Sequence, residues 1–350
     1  MIDVAATSTS NRTRRWLPWV GGLLGLAALT WALRRFDVER FGAIVASADL
    51  RLVALVPLSI LAEQLVRAWK WRQLLHPLRS VGLVYLFGTI MAGYLLAILV
   101  PFGFGTVARS WLVARREDLK LVSVLATVAL DRLTDGIVFA CMVPAVLFMV
   151  VIEDPTGGIR AGLVSGGVGS FFLFATVLLA LLAYRRGMLT ADGRIARLLD
   201  HLPKRFSPAV RRLTGAFAEG IVWPHEAWRG VGIVFASVAI KLVAATHLLW
   251  AGLSIGVQLA TSQYLFMIVF LGFLIILGHF IRFIGSFIIG GVFALGLFGV
   301  SAEQALVMVL IVETSSLISV AAVGAISLWA QGVVLADVRG ETGQARASDS

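Results

Sequence analysis

The chain has 350 residues, of which 59% are hydrophobic and only 14% charged, and its mean hydropathy is +0.91. A soluble chain carries roughly 25% charged residues, so these figures exclude a secreted, nuclear or cytosolic globular protein and require several membrane-spanning helices. The net charge of +10 is uneven: residues 185–229 hold nine Lys/Arg against four Asp/Glu, half of the total. Between membrane spans such a loop reflects the basic excess of the cytoplasmic face and attraction to anionic lipid, and no nucleic-acid partner is expected.

In chain order, residues 1–15 read as a disordered cytoplasmic N-terminus, polar and ending in Arg12, Arg14 and Arg15. The apolar run 17–33 is long for a signal peptide, ends in Arg34-Arg35 and lacks a small-residue cleavage site, so it reads as an uncleaved first helix. A second apolar segment, 52–66, is followed by Arg67, Lys70, Arg72 and Arg79, a cluster expected in the cytoplasm. The third, 81–101, runs into Pro101-Phe102-Gly103-Phe104-Gly105 and then into a second basic stretch with Arg109, Arg115, Arg116 and Lys120. Basic flanks on both sides imply a re-entrant hairpin, tolerated at membrane depth where protein buries it or it lines a polar cavity.

A long apolar pattern follows at 121–152, then an acidic turn, Glu153-Asp154-Pro155, and a further span at 162–184. After the basic loop come spans at 231–253 and 263–278, a Gly-rich segment at 285–300, and a last span at 305–330. Stretches such as 137–152 are apolar on every face, which excludes a transmembrane β-barrel. The fold class is therefore all-α: a polytopic helical membrane protein with about 7 to 9 apolar helices and broken or re-entrant segments near 81–105 and 284–300. The membrane domain spans 16–335, with a polar tail at 336–350. The four arginines between Arg34 and Arg51 oppose this orientation. An internal echo at an offset of 182 residues aligns Gly103 with Gly285 and Asp131 with Glu313, in the manner of transporter repeats with paired broken segments.

Ionisable residues inside spans cost roughly 2.5 to 3.5 kcal/mol each on insertion scales, so their positions are informative. Glu63 and Arg67 stand in the favourable helical ion-pair order. Asp131 and Asp135 share a face, and Arg132 can reach Asp135 at i, i+3. Lys241 sits at mid-span with His247 beyond it, and His279, Arg282 and Glu313 complete the set. The functional reading is a polar cleft that accepts a charged headgroup while acyl tails stay in lipid; the structural reading is register-fixing pairs and snorkelling side chains.

Catalytic patterns are scarce. No two of the five histidines stand at i, i+3 or i+4, and Cys141 is the only cysteine, so neither a clustered metal site nor a disulfide is expected. Gly252-Leu253-Ser254-Ile255-Gly256 matches GxSxG by chance, at the end of a span and not on a strand-to-helix elbow. There is no phosphate-binding GxxxxGK[ST] loop. No cofactor and no enzymatic activity are expected, the alternative enzyme being one that acts on a lipid pyrophosphate through Asp131 and Asp135.

The order Arg67-Ala68-Trp69-Lys70-Trp71-Arg72, then Leu99-Val100-Pro101-Phe102-Gly103-Phe104-Gly105 with Arg109, then Asp131-Arg132-Leu133-Thr134-Asp135, resembles the flippase-like family of the lysylphosphatidylglycerol synthase transmembrane region. The resemblance covers roughly residues 15 to 335. It implies a multi-helix inner-membrane protein with broken helices, and in the best-understood members this region moves an aminoacylated phospholipid between leaflets. It also implies matches at Trp71 and Arg72, at Pro101, Gly103, Gly105 and Arg109, and at Arg132 and Asp135. The chain departs from the family pattern at Gly105-Thr106 and at Arg282-Phe283-Ile284-Gly285-Ser286. The soluble aminoacyl-transferring domain is expected to be absent, so the chain should not make lysyl-lipid.

The function expected is a transbilayer lipid translocase for a phospholipid or glycolipid in a bacterial-type inner (plasma) membrane, with the N-terminus and loop 185–229 cytoplasmic. Membrane lipids, anionic or phosphate-bearing, are the expected partners. Arg67, Trp71, Arg72, Arg109, Arg115 and Arg116 would recruit the headgroup, and Asp131, Arg132, Asp135, Lys241, Arg282 and Glu313 would line its route. Pro101, Gly103 and Gly105 would form the break at which backbone approaches the headgroup. The alternative is a scaffold for a lipid-modifying or glycosyltransferase enzyme, held through the loop 185–229.

Overall fold

In a bilayer a segment must satisfy its own backbone hydrogen bonds, so the apolar runs fold as helices. The structure is a computed structural model that describes residues 37–100, 104–151, 157–185, 221–281 and 286–332. The N-terminal region with its run 17–33, most of the basic loop, Pro101, Gly103, Arg282 and the C-terminal tail lie outside the described residues. Ten helices are described: α1 (Val38–Ser47), α2 (Leu50–Leu75), α3 (Leu83–Leu99), α4 (Phe104–Glu117), α5 (Leu121–Met149), α6 (Gly158–Arg185), α7 (Ala227–Ser254), α8 (Thr261–Ile281), α9 (Ser286–Gly296) and α10 (Ala302–Ala330). Five of them, α2, α5, α6, α7 and α10, are long and apolar enough to cross a membrane. At 26 to 29 residues they measure about 39 to 44 Å, more than the roughly 30 Å of a hydrocarbon core.

The third apolar segment is the first arm of a helical hairpin. Its arms, α3 and α4, have 17 and 14 residues, about 25 and 21 Å, and are therefore too short to cross with any tilt. They run antiparallel: Ala97 and Gly93 meet Gly105, and nearer the open end the Tyr85 hydroxyl donates to Leu112 O at 2.8 Å while the Arg116 guanidinium lies 4.1 Å from the Tyr85 ring. A second hairpin, α8–α9, closes on aromatic packing, with Phe270 stacked on Phe293 at 5.9 Å and Phe266 edge-on to Phe298 at 5.4 Å.

The two hairpins belong to two repeated units. Adding 182 to the last residue of α3 and the first of α4, Leu99 and Phe104, gives the last residue of α8 and the first of α9, Ile281 and Ser286. The same shift carries α5 onto α10 with ends displaced by one residue. The packing repeats as well: α3 lies on α10, where Gly88 meets Ser327, and α8 lies on α5, where Gly272 meets Phe139. The corresponding long helices α2 and α7 are antiparallel, since Asp49 N donates to Ser254 O at 2.8 Å at one end and Arg229 Nη1 donates to Gln73 Oε1 at 2.6 Å at the other. The units thus run in opposite directions, and a bilayer crossed by both contains their two-fold axis in its plane.

One end of the bundle gathers the basic residues: Arg72, Arg79, Arg115, Arg116, Lys120 and Arg229 lie where α2, the first hairpin, α5 and α7 begin or end. At the opposite end the α7–α8 and α9–α10 connections, residues 255–260 and 297–301, carry no charge. Exposed α1 sits at that end, with Asp37 N donating to Glu303 Oε1 of α10 at 3.4 Å, and its stretch holds Asp37, Glu39 and Asp49 beside the arginines.

Candidate functional site

Two helix faces bring the site together. On α2, Glu63, Arg67 and Lys70 follow at intervals of four and three and share a face, as do Thr127, Asp131 and Asp135 on α5 at intervals of four. The faces meet around Lys70, which is 0% exposed. Its ammonium donates to Asp135 Oδ1 at 2.6 Å and to the Asp131 carbonyl at 3.0 Å, with Asp131 Oδ1 at ion-pair distance, 2.9 Å, outside hydrogen-bond geometry. Arg67 bridges the other side of Asp135, donating to Oδ2 at 3.2 Å, and holds Glu63 Oε1 at 2.9 Å. From α7, His247 Nε2 stands 3.8 Å from Glu63 Oε2. The result is a chain of alternating charges across α2 and α5, with the His247 imidazole of α7 beside its end, and the pairing offsets a desolvation penalty of several kcal/mol for each buried ion.

Arg109 of α4 completes the site. It is 3% exposed, its guanidinium lies 5.1 Å from the Trp71 ring, and Trp71 is anchored by its indole N–H to Thr127 Oγ1 at 3.0 Å. Its stem rests on α3: a Cβ placed on Gly93 would come within 2.9 Å of Arg109 Cβ. Arg109 Nε and Nη2 have no hydrogen-bond partner among the described residues. Tyr94 lies within electrostatic range of both Arg67 and Arg109.

The other expected site residues fall in several places. Lys241 is half-buried, 5.7 Å from the Phe139 ring, within electrostatic range of Asp135 but outside ion-pair distance. Arg132 does not reach Asp135; it is exposed, because Asp135 faces α2 and is taken by Lys70 and Arg67. Arg72 is half-buried on the side of α2 away from the cluster, and half-buried Glu313 of α10 has no charged neighbour among the described residues. Gly105 does not open backbone to a headgroup: it is buried against Gly93 and Ala97, where any Cβ would overlap the α3 backbone. Pro101, Gly103 and Arg282 lie outside the described residues.

Lys70 is the residue that sequence reasoning missed, having been read as one member of a cytoplasmic basic cluster. The signal was present: three residues after Arg67 and seven after Glu63, it stands on the face already marked by that pair. Thr127 and Tyr94 carried no such signal. Asp131 and Asp135 both face Lys70, so a cation already lies between the carboxylates offered for a metal-pyrophosphate site.

No curated protein and no solved structure matches the chain. A family model does, that of the lysylphosphatidylglycerol synthase TM region, and it covers residues 19–324, which include both repeated units up to Gly324 of α10 and every member of the buried ionic cluster. The chain belongs to the lysylphosphatidylglycerol synthase transmembrane-region family.

Proposed function

We propose that the protein is a lipid translocase that binds the headgroup of a phospholipid or glycolipid in the polar interior between α2, α4, α5 and α7, while the acyl chains stay in surrounding lipid. The observation that carries this reading is the ionic cluster centred on Lys70, because charges at such positions cost more than they return in stability unless they serve a polar route. The oppositely oriented units with their broken hairpins support it, since translocating folds place their substrate sites at such breaks. In this reading the basic end faces the cytoplasm of a bacterial-type inner membrane, and the chain itself catalyses no covalent step.

The test is leaflet exchange of fluorescent phospholipids and glycolipids in liposomes containing the purified protein. The expected result is accelerated exchange of at least one lipid class, abolished by Asp135→Asn in protein that remains monodisperse. No acceleration across a panel of anionic, zwitterionic and glycosylated lipids removes the translocase reading and moves weight to a membrane scaffold.

A further inference from the structure

We propose that Arg109 is the phosphate seat of this site and that the ligand is a lipid headgroup of net negative charge, a phosphate without a compensating amine. The proposal rests on the translocase reading and adds the class of headgroup to it.

Charge balance is the first argument. The site gathers four cations, buried Arg67, Lys70 and Arg109 and half-buried Lys241, but three carboxylates, Glu63, Asp131 and Asp135. Arg67 and Lys70 are in ion pairs with those carboxylates, which leaves Arg109 and Lys241 without an ion pair among the described residues. Protonation of His247 would add to the excess, and exposed Arg132 places a further cation within electrostatic range of Arg109. A buried guanidinium that lacks a counter-anion is costly, so the site gains stability from any group that brings one negative charge.

Geometry is the second. The Arg109 guanidinium lies over the Trp71 ring, and the contact from Gly93 fixes the stem. The donors left without partners, Nε and Nη2, lie along one edge of the planar group. Two parallel N–H bonds from one edge match two oxygens of a phosphate, a geometry that lysine cannot offer. An amine on the same headgroup would enter a region where Arg132 already repels it. Phosphatidylglycerol therefore fits, phosphatidylethanolamine fits less well, and lysylphosphatidylglycerol, with two amines to one phosphate, fits worst.

The test is equilibrium binding to the purified full chain, read by displacement of a fluorescent phosphatidylglycerol by unlabelled phosphatidylglycerol, phosphatidylethanolamine, lysylphosphatidylglycerol and inorganic phosphate. Phosphatidylglycerol is expected to compete about tenfold or more better than phosphatidylethanolamine, as loss of one charge-assisted contact implies, with lysylphosphatidylglycerol weaker still and inorganic phosphate inactive. Arg109→Gln should remove the preference and Arg109→Lys should keep part of it. Equal competition by the three lipids overturns the proposal in the unsubstituted protein, whatever the variants do, and so does an unchanged preference in folded Arg109→Gln protein. Competition by inorganic phosphate as strong as by lipid overturns the lipid assignment. Binding is read separately from leaflet exchange, so loss of selectivity with intact exchange refutes this proposal alone, and absent exchange with intact selectivity refutes the translocase reading alone.

Discussion

Lys70 and Asp135, 65 residues apart in the chain, form the shortest ion pair of the buried cluster, 2.6 Å between Nζ and Oδ1. The pair joins α2 to α5 and orders everything around it: Asp135 turns toward α2, Arg67 follows on its other oxygen, and Arg132 is left facing outward.

Removing the cation strands Asp131 and leaves Asp135 to Arg67. Lys70→Met is expected to lower stability by about 3 to 5 kcal/mol, the usual cost of breaking a buried pair, read as a fall in melting temperature of the detergent-purified protein. Combining Lys70→Met with Asp135→Leu should recover part of that loss, because the two residues are coupled. Additive losses in the double variant would show that the pair is not the link between the helices.

The two aspartates differ in what they hold. Asp135 meets both Lys70 and Arg67, whereas Asp131 meets Lys70 alone among the described residues. Asp135→Asn should therefore destabilise more than Asp131→Asn, by about 1 to 2 kcal/mol on the scale of one charged hydrogen bond, in side-by-side thermal melts.

Gly105 and Gly169 provide a matched comparison. A Cβ at Gly105 would run into the Gly93 carbonyl and Ala97, while one at Gly169 on α6 meets nothing within 4 Å. Gly105→Ala is expected to cost about 1 to 3 kcal/mol by overpacking the first hairpin. Gly169→Ala should be neutral or stabilising by up to about 1 kcal/mol, since alanine favours helix. Equal melting temperatures for the two variants would contradict the close approach of α3 and α4.

The opposed orientation of the units is testable by labelling. With Cys141→Ser as background, exposed Ser80→Cys follows α2 and exposed Gln258→Cys follows α7. An impermeant maleimide applied to sealed vesicles should reach one cysteine from one side and the other only after permeabilisation. Labelling of both from the same side would refute the inverted arrangement.

The ion pair of Glu63 with Arg67 was legible because both partners lie on one helix, where spacing sets distance. So were the broken segments, from Pro, Gly and basic flanks, and the echo at 182 residues, which two aligned positions suggested and the helix boundaries of both units bear out. The repeat is hard to read because its units differ in the residues that matter: the positions of Arg67, Lys70, Arg109 and Asp135 are occupied by Leu249, Gly252, Gly291 and Leu317 in the second unit. Equivalent backbones therefore carry the ionic cluster in one unit only, with Glu313 the one acid kept at the position of Asp131, so sequence similarity fades at the positions that build the cluster.

By itself the sequence determined that this is an all-helical membrane protein with paired breaks and with ionisable residues inside its spans, because hydropathy, length and local spacing are properties of a single segment. Only the tertiary structure decided which acid meets which cation. Pairing across helices depends on rotation and depth, which are set by how the helices pack, as where Gly93 and Gly105 bring α4 and its Arg109 against α3. That packing turned Lys70 inward from an apparent surface cluster, turned Arg132 outward, and left the guanidinium of Arg109 buried with its edge unpaired.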